Sequence, residues 1–228
     1  MLFPKVSSID IKKFLSEVVE GISAKVFRTA WGSSLLAESL QKATVGENLS
    51  TAEKIAIFNE ANLVVAKKLN HQRNVGKNAD SKTEELQQRL TEMKNDFVVI
   101  KKEINQQIEQ LGLKIKEIED KSFGANEKAL LKKNALDKIQ KLEERLNKKK
   151  QQIKAFELKA DLQSKTKNIA LSTSKTSYCD PRIGISFCKS LDIPLEKVYN
   201  KSMQAKFSWA LDCKQTYFSN YKLIRTQL

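Results

Sequence analysis

Residues 86–118 read LQQRLTEMKNDFVVIKKEINQQIEQLGLKIKEI and contain the most regular apolar pattern of the sequence. Its apolar residues recur at alternating steps of four and three, with one polar site skipped. That heptad-like pattern is typical of a helix that packs against a partner along one seam. The seam positions are Leu86, Leu90, Met93, Phe97, Ile100, Ile104, Leu111, Ile115 and Ile118.

A second stretch repeats the pattern, and a turn signal lies between the two. The second set of seam positions is Ala135, Ile139, Leu142, Leu146, Ile153 and Phe156. Residues 123–126, FGAN, favour a turn. We therefore predict that residues 81–167 form an antiparallel two-helix coiled coil, each helix roughly 50 Å long at 1.5 Å per residue. Such a hairpin returns the chain close to where it left, so the two flanking regions can form one domain.

The region before the hairpin, residues 1–80, has helical apolar spacing. Ser50 and Glu53 have the spacing of a capping box, which predicts that a helix begins there. An apolar stripe follows and runs up to His71, placing this histidine at the end of a long amphipathic helix. The stripe consists of Ile55, Phe58, Ala61, Val65 and Leu69.

The region after the hairpin, residues 168–228, predicts a small helical subdomain. Asp180 and Pro181 mark a turn, and residues 183–189 form a short apolar stretch. Pro194 suits the first turn of another helix, which Leu195, Val198 and Tyr199 continue at helical spacing. A last core helix would contain Phe207, Trp209 and Leu211. The predicted fold class is mainly α: a helical subdomain, a long coiled-coil linker, and a small helical C-terminal subdomain.

The charge balance indicates a polyanionic partner. The chain has 41 Lys and Arg against 27 Asp and Glu, a formal charge of +14. Nucleic acid is the first candidate and an anionic membrane surface the second. No apolar run is long enough to span a bilayer, and the N-terminus has no continuous apolar core of a secretory signal. We expect a soluble intracellular protein.

The cysteines indicate neither disulfides nor a metal site. Cys179, Cys188 and Cys213 are an odd number without a C-x-x-C pair. Together with His71, the one histidine, they could form a zinc set, but their spacings match no zinc pattern. Small packing residues are the better interpretation, and we expect no metal and no cofactor.

Tyr178, within the stretch STSKTSYCDPR at 172–182, can be interpreted in two ways. A lone tyrosine is most often a core or surface aromatic. A free phenol is only about 0.1% ionised at neutral pH, so a nucleophilic tyrosine needs cations nearby. Arginine can bind a phosphate through two parallel hydrogen bonds, and histidine can donate one. The cations that the sequence offers are Lys175, Arg182, Arg28, His71 and Arg73.

Separated motifs carry a resemblance to a known family. In order they are residues 24–29 (AKVFRT), 70–73 (NHQR), the charged hairpin, 169–182 (IALSTSKTSYCDPR) and 194–212, which begins PLEKVYNK. Their order and spacing resemble the C-terminal half of eukaryotic, nuclear DNA topoisomerase I, a type IB enzyme. The resemblance covers nearly the whole chain.

The resemblance implies a nuclear, monomeric enzyme that nicks and rejoins one strand of duplex DNA without ATP. It implies that Tyr178 attacks a phosphodiester and forms a 3′-phosphotyrosine, with Arg28 and His71 on the non-bridging oxygens. The hairpin corresponds to the family's linker, which lies over downstream DNA. We interpret as DNA contacts Lys25, Arg73, Lys175, Arg182, Lys148, Lys149 and Lys150.

The resemblance also has departures. In the family an arginine and a lysine that acts as general acid lie upstream of the KVFR motif, where this chain has only 27 residues before Arg28. The chain is then a fragment, a subunit of a split enzyme that needs an upstream half, or an inactive relative. Ser177 departs from the family before the tyrosine, which puts camptothecin sensitivity in doubt. A DNA-binding module without chemistry and a coiled-coil protein that pairs between chains stay open.

Overall fold

The computed structural model describes residues 5–43, 46, 49–76, 78–120 and 124–212. In this part of the chain the fold is mainly α, as predicted, and extended backbone pairs only at an isolated bridge between Gln72 and Ile169. Phe123, in the predicted turn, and Cys213 lie outside the described residues. The helices are α1 (Ser8–Val18), α2 (Ala24–Lys42), α3 (Thr51–Lys68), α4 (Ala79–Asp120), α5 (Ala125–Lys165), α6 (Leu171–Ser177), α7 (Pro181–Ser190), α8 (Lys201–Lys206) and α9 (Ser208–Leu211).

The chain divides into two compact units, one formed by residues 1–76 and 162–228 and the other by residues 77–161. We call them the core unit and the hairpin unit. In the hairpin unit, Lys94 in the first half of α4 pairs with Glu157 in the second half of α5 at 2.7 Å. Lys132 near the start of α5 pairs with Glu119 near the end of α4. The two helices therefore run in opposite directions.

The predicted seam positions of the hairpin unit lie against each other rather than in solvent. Leu90, Ile104 and Ala135 are buried, and the other predicted seam residues are half-buried. By contrast, Val98, Val99 and other apolar residues off the seam are exposed. Packing along one seam is what the heptad spacing requires. Supercoiling of the two helices stays a prediction.

The core unit is organised around α2, α3 and α7. Phe58 of α3 is fully buried and packs against Phe187 of α7, with ring centroids 6.0 Å apart, and against Tyr199 at 6.2 Å. Burial of a side chain of this size stabilises the folded state by about 1.5–3 kcal/mol. Gly184 of α7 makes this packing possible, because a Cβ there would lie 2.0 Å from the Tyr199 hydroxyl.

Side chains cap the starts of two helices, the predicted one at Ser50 and another at Asp180, where a turn was predicted. The Ser50 hydroxyl accepts from the Glu53 N–H at 3.4 Å, and the Glu53 carboxylate accepts from the Ser50 N–H at 3.0 Å. This confirms the capping box of α3. At α7, the Asp180 carboxylate accepts from the Arg182 N–H at 2.9 Å, and Pro181 occupies the first helical position.

Two details of the C-terminal region differ from the prediction. The segment after Pro194 forms only a 3₁₀ turn, Leu195–Lys197, because the Asn200 side chain accepts from the Met203 N–H and starts a new helix there. Trp209 is not a core residue, since it is 61% exposed, whereas its neighbour Ala210 is fully buried. None of the described helices is both long and apolar enough to cross a membrane.

Candidate functional site

Hydrogen bonds at the end of α3 fix the position of His71. The Asn70 N–H donates to the Lys67 carbonyl at 3.1 Å, and the His71 N–H donates to the Ala66 carbonyl at 2.8 Å. These two bonds define a Schellman motif, in which the residue after the cap is left-handed. Asn70 occupies that position with φ 55°, which asparagine tolerates better than most residues. The chain therefore changes direction at Asn70. As a result, His71 lies off the axis of α3.

An antiparallel bridge then joins the His71 segment to the segment before α6. The Ala170 N–H donates to the His71 carbonyl at 2.8 Å, and the Arg73 N–H donates to the Asn168 carbonyl at 2.9 Å. The Arg73 guanidinium adds bonds to the carbonyls of Thr166, at 2.9 Å, and Lys167, at 3.1 Å. Two segments about a hundred residues apart in sequence are thereby fixed side by side.

Tyr178 caps the C-terminus of α6 and lies against α2. Gly32 of α2 allows this approach, because a Cβ there would lie 2.5 Å from the Tyr178 carbonyl oxygen. The Asp180 N–H donates to the Ser33 hydroxyl at 2.9 Å and holds the next residues on the same helix. The Tyr178 side chain is half-buried and faces the N-terminal part of α2 and the end of α3.

Four predicted site residues meet at this point. The rings of His71 and Tyr178 have centroids 4.9 Å apart and are inclined by 35°. The Arg28 guanidinium carbon lies 4.9 Å from the centre of the Tyr178 ring, and the Lys25 ammonium lies 5.6 Å from it. Arg28 also donates to the Leu69 carbonyl at 2.6 Å. The Tyr178 ring, two cations and an imidazole are thus brought together from α2 and from the ends of α3 and α6.

His71 has one engaged ring nitrogen and one without a partner. The side chain is buried, and its Nδ1 lies 3.3 Å from the hydroxyl oxygen of Ser174, which is itself fully buried. Nε2 is buried and has no hydrogen-bond partner among the described residues. Burial, together with the neighbouring Arg28 charge, lowers the pKa of His71 below its ordinary value. The ring is therefore neutral at neutral pH.

Comparison with known proteins gives matches at both ends of the chain. Residues 1–104 match the model described as eukaryotic DNA topoisomerase I, catalytic core, and residues 150–219 match the C-terminal topoisomerase domain. The chain belongs to the eukaryotic DNA topoisomerase I family. The motifs that carried the resemblance in the sequence lie within these two matched segments, apart from the hairpin, which they cover in part.

Individual relatives agree with this assignment to the topoisomerase I family. DNA topoisomerase I, mitochondrial, of Homo sapiens is 33% identical over 210 residues, which cover 92% of this chain and 32% of the relative. DNA topoisomerase 1 of Schizosaccharomyces pombe is 31% identical over 273 residues, which cover 93% of this chain and 33% of the relative. DNA topoisomerase 1 alpha of Arabidopsis thaliana is 33% identical over 223 residues, which cover 95% of this chain and 22% of the relative. The chain spans about a third or less of the length of these curated relatives.

Three cationic side chains that were interpreted as DNA contacts bind acceptors within the core unit. The Lys175 ammonium donates to the Val198 carbonyl at 2.9 Å, and burial lowers its pKa. It therefore supports the packing of the C-terminal region rather than facing Tyr178. Arg182 pairs with the Asp180 carboxylate at 2.5 Å, and its guanidinium lies 5.8 Å from the Trp209 ring. Arg73, as described above, binds backbone carbonyls.

The hairpin unit of this topoisomerase I relative presents two groups of cations. Lys148, Lys149 and Lys150 are exposed on α5, as a contact with DNA phosphates would need. A groove of about 480 Å³ between α4 and α5 was not predicted from the sequence. Helical spacing could have found it, since Lys138, Lys141 and Arg145 lie three and four residues apart. The lining residues are Gln107, Gln110, Leu111, Lys114, Lys138, Lys141, Leu142 and Arg145.

Proposed function

We propose that the chain is the part of a type IB DNA topoisomerase that carries the nucleophile, nicking and rejoining one strand of duplex DNA. The observation that carries the proposal is the meeting of Arg28, His71 and Tyr178 within about 5 Å, in a chain of the topoisomerase I family. Chance burial of an aromatic residue would not require an arginine and an imidazole at the same ring.

The reaction assigns one role to each group. The Tyr178 hydroxyl gives up its proton to solvent, and its oxygen attacks the phosphorus of a backbone phosphodiester and forms a new P–O bond at the 3′ phosphate. The bond to the 5′ oxygen breaks, and that oxygen leaves with a proton. Reversal of these steps rejoins the strand, so no ATP is needed. Arg28 and Nε2 of His71 would donate to the non-bridging oxygens, whose negative charge increases in the transition state.

The contacts of Arg28 show what a phosphate must replace. Its guanidinium lies over the Tyr178 ring and donates to the Leu69 carbonyl. A cation–π contact at a partly exposed ring contributes about 0.5–1 kcal/mol. A charge-assisted bond from arginine to phosphate is stronger than either contact. Binding of DNA would therefore draw the guanidinium away from the ring and free the Tyr178 side chain to reach phosphorus.

The residue that protonates the leaving oxygen is proposed to come from outside these 228 residues. The resemblance expects a further arginine and lysine upstream, and α1 and α2 have apolar faces that another part of the enzyme could cover. On α1, Phe14 is 64% exposed and Val18 69% exposed; on α2, Trp31 is 50% exposed. Exposed apolar side chains at helical spacing are typical of a packing surface.

We propose that the complete enzyme is monomeric and nuclear.

The remaining cations are proposed to bind the duplex through its phosphates. Lys25 lies at the Tyr178 ring, and Lys148, Lys149 and Lys150 are exposed on the hairpin unit. Contacts of this kind give affinity without sequence preference. For Arg73, Lys175 and Arg182 we propose no phosphate contact, because their cationic groups bind acceptors within the core unit.

The test is covalent capture of DNA by the chain, with the upstream part of the enzyme supplied as a separate polypeptide. Incubation with a duplex whose cleaved end cannot be rejoined should yield a DNA adduct that resists denaturation. Tyr178→Phe should abolish the adduct and leave DNA affinity nearly unchanged. Tyr199→Phe is the matched control, since Tyr199 is a buried core residue. Salt-dependent binding without any adduct from the unaltered chain would instead favour a DNA-binding module without chemistry.

A further inference from the structure

A small polar network lies next to His71. It consists of the side chains of Ser174 and Asn62 and the carbonyl group of Leu171. Ser174 and Asn62 are both 0% exposed. Water does not reach these groups, so the hydrogen bonds that they make are within the protein, and Oδ1 of Asn62 has no partner among the described residues.

The Ser174 hydroxyl has one proton and two nearby acceptors. Its oxygen lies 3.3 Å from Nδ1 of His71 and 3.5 Å from the Leu171 carbonyl oxygen. The Asn62 amide already donates to that carbonyl at 2.9 Å. The helical pattern supplies a further N–H, four residues on, to the same oxygen. A carbonyl oxygen has two lone pairs, so the Leu171 oxygen is occupied and Nδ1 is the acceptor with a free lone pair.

We infer that Ser174 donates its hydroxyl proton to Nδ1 of His71 and thereby keeps the ring proton on Nε2. Asn62 acts one step further back, because it occupies the Leu171 carbonyl and directs the Ser174 proton towards the ring. Both are positioning residues, since neither would touch DNA. The consequence for the reaction rests on the proposed function.

The position of the proton matters because the ring is neutral. Tyr178, at the end of α6, lies against the His71 ring, and Arg28 and Lys25 of α2 lie against the Tyr178 ring. The charge of Arg28 opposes a positive charge on the His71 ring. A neutral ring with its proton on Nδ1 would present a lone pair to a phosphate oxygen and repel it. With the proton on Nε2, the neutral ring donates a hydrogen bond to that oxygen.

His71 is the one histidine of the chain, so the protonation of its ring can be read directly. The full chain is labelled with ¹⁵N in the histidine ring and studied by long-range ¹H–¹⁵N NMR above the titration of His71. The expected result is a neutral ring protonated at Nε2, with Nδ1 at the resonance of a hydrogen-bonded acceptor. A ring protonated at Nδ1 in the unaltered chain overturns the inference and needs no variant.

Two matched variants extend the test. Ser174→Ala should move the Nδ1 resonance to that of an unbonded nitrogen. Ser172→Ala makes the same change in the same helix at an exposed position and should leave the resonance unchanged. An unchanged Nδ1 resonance in Ser174→Ala overturns the inference. A general loss of packing would not move one ring nitrogen alone, so the readout separates positioning from stability.

Adduct formation separates this inference from the proposed function. With the upstream part supplied, Ser174→Ala should form the covalent adduct about fivefold to tenfold more slowly at neutral pH, the loss expected for one buried hydrogen bond. Ser172→Ala should match the unaltered chain. If the unaltered chain forms the adduct but its ring is protonated at Nδ1, the inference fails and the proposed function stands. If it forms no adduct, the proposed function fails, and the NMR result still decides the position of the proton.

Discussion

Gly32 is the residue that sets how closely α2 approaches Tyr178. A Cβ at this position would lie 2.5 Å from the Tyr178 carbonyl oxygen and 3.0 Å from the Leu69 side chain. Arg28 lies one helical turn earlier on the same helix, so its reach to the Tyr178 ring depends on this spacing. The sequence shows a glycine in a helix but not what the glycine touches. For that reason the contact could not be predicted, although Arg28 and Tyr178 themselves were.

The burial of His71 makes the stability of the core unit depend on pH. Its pKa is lowered in the folded chain, chiefly by burial and secondly by Arg28. Near pH 6.5 the unfolded chain therefore binds more protons at this histidine than the folded chain does. We expect the free energy of unfolding to be constant above about pH 7 and to fall as the pH drops below about 6.5, with a slope of at most about 1.4 kcal/mol per pH unit.

Urea unfolding followed by circular dichroism between about pH 5.5 and 8 measures this dependence, above the range in which most carboxylates titrate. His71→Gln is the control, because glutamine keeps a polar side chain but does not titrate. The part of the slope that belongs to His71 should be absent from this variant. Equal slopes in both proteins would show that His71 titrates normally in the folded chain.

Among the elements, the end of α3 combines features that the sequence predicts with features that it does not. The capping box at Ser50 and the apolar stripe predicted the helix and placed His71 at its end, and the structure agrees. The Schellman motif and the bridge to residues 168–170 were not predicted. They depend on hydrogen bonds between segments far apart in sequence, for which local spacing contains no signal.

The left-handed conformation of Asn70 predicts an asymmetric response to substitution. Asn70 has φ 55°, a conformation that glycine adopts freely and alanine adopts at a cost of about 1–2 kcal/mol. Asn70→Ala should therefore lower the free energy of unfolding by about 1 kcal/mol, whereas Asn70→Gly should stay close to the unaltered chain. Asn74→Ala, at an exposed position nearby, serves as the control and should have little effect. If alanine and glycine at position 70 proved equally stable, the turn would not depend on this conformation.

For the whole molecule, the class of fold was predictable because its signals are repeated many times. The heptad spacing recurs over more than ten seam positions, all of them buried or half-buried, and one misplaced residue would not have changed the conclusion. The roles of individual cations were harder to predict. Arg73, Lys175 and Lys148 look alike in sequence, yet the first two donate to backbone carbonyls and the third is exposed. Charge can be counted from a sequence, but the partner of each charge depends on the fold.

This difference between the cations predicts how DNA binding responds to salt. Each phosphate contact contributes about 0.9 to the slope of log affinity against log salt concentration. Replacing Lys148, Lys149 and Lys150 with alanine should lower the slope by about 0.9 for each lysine that faces a phosphate. Arg73→Ala should leave the slope unchanged and instead lower the free energy of unfolding, because its guanidinium holds the carbonyls of Thr166 and Lys167. Fluorescence anisotropy of a labelled duplex at several salt concentrations measures the slopes. A smaller slope in Arg73→Ala together with an unchanged slope in the lysine variant would reverse the assignment. The phosphate contact would then lie at the core unit, and the exposed lysines of the hairpin unit would be a solvated surface.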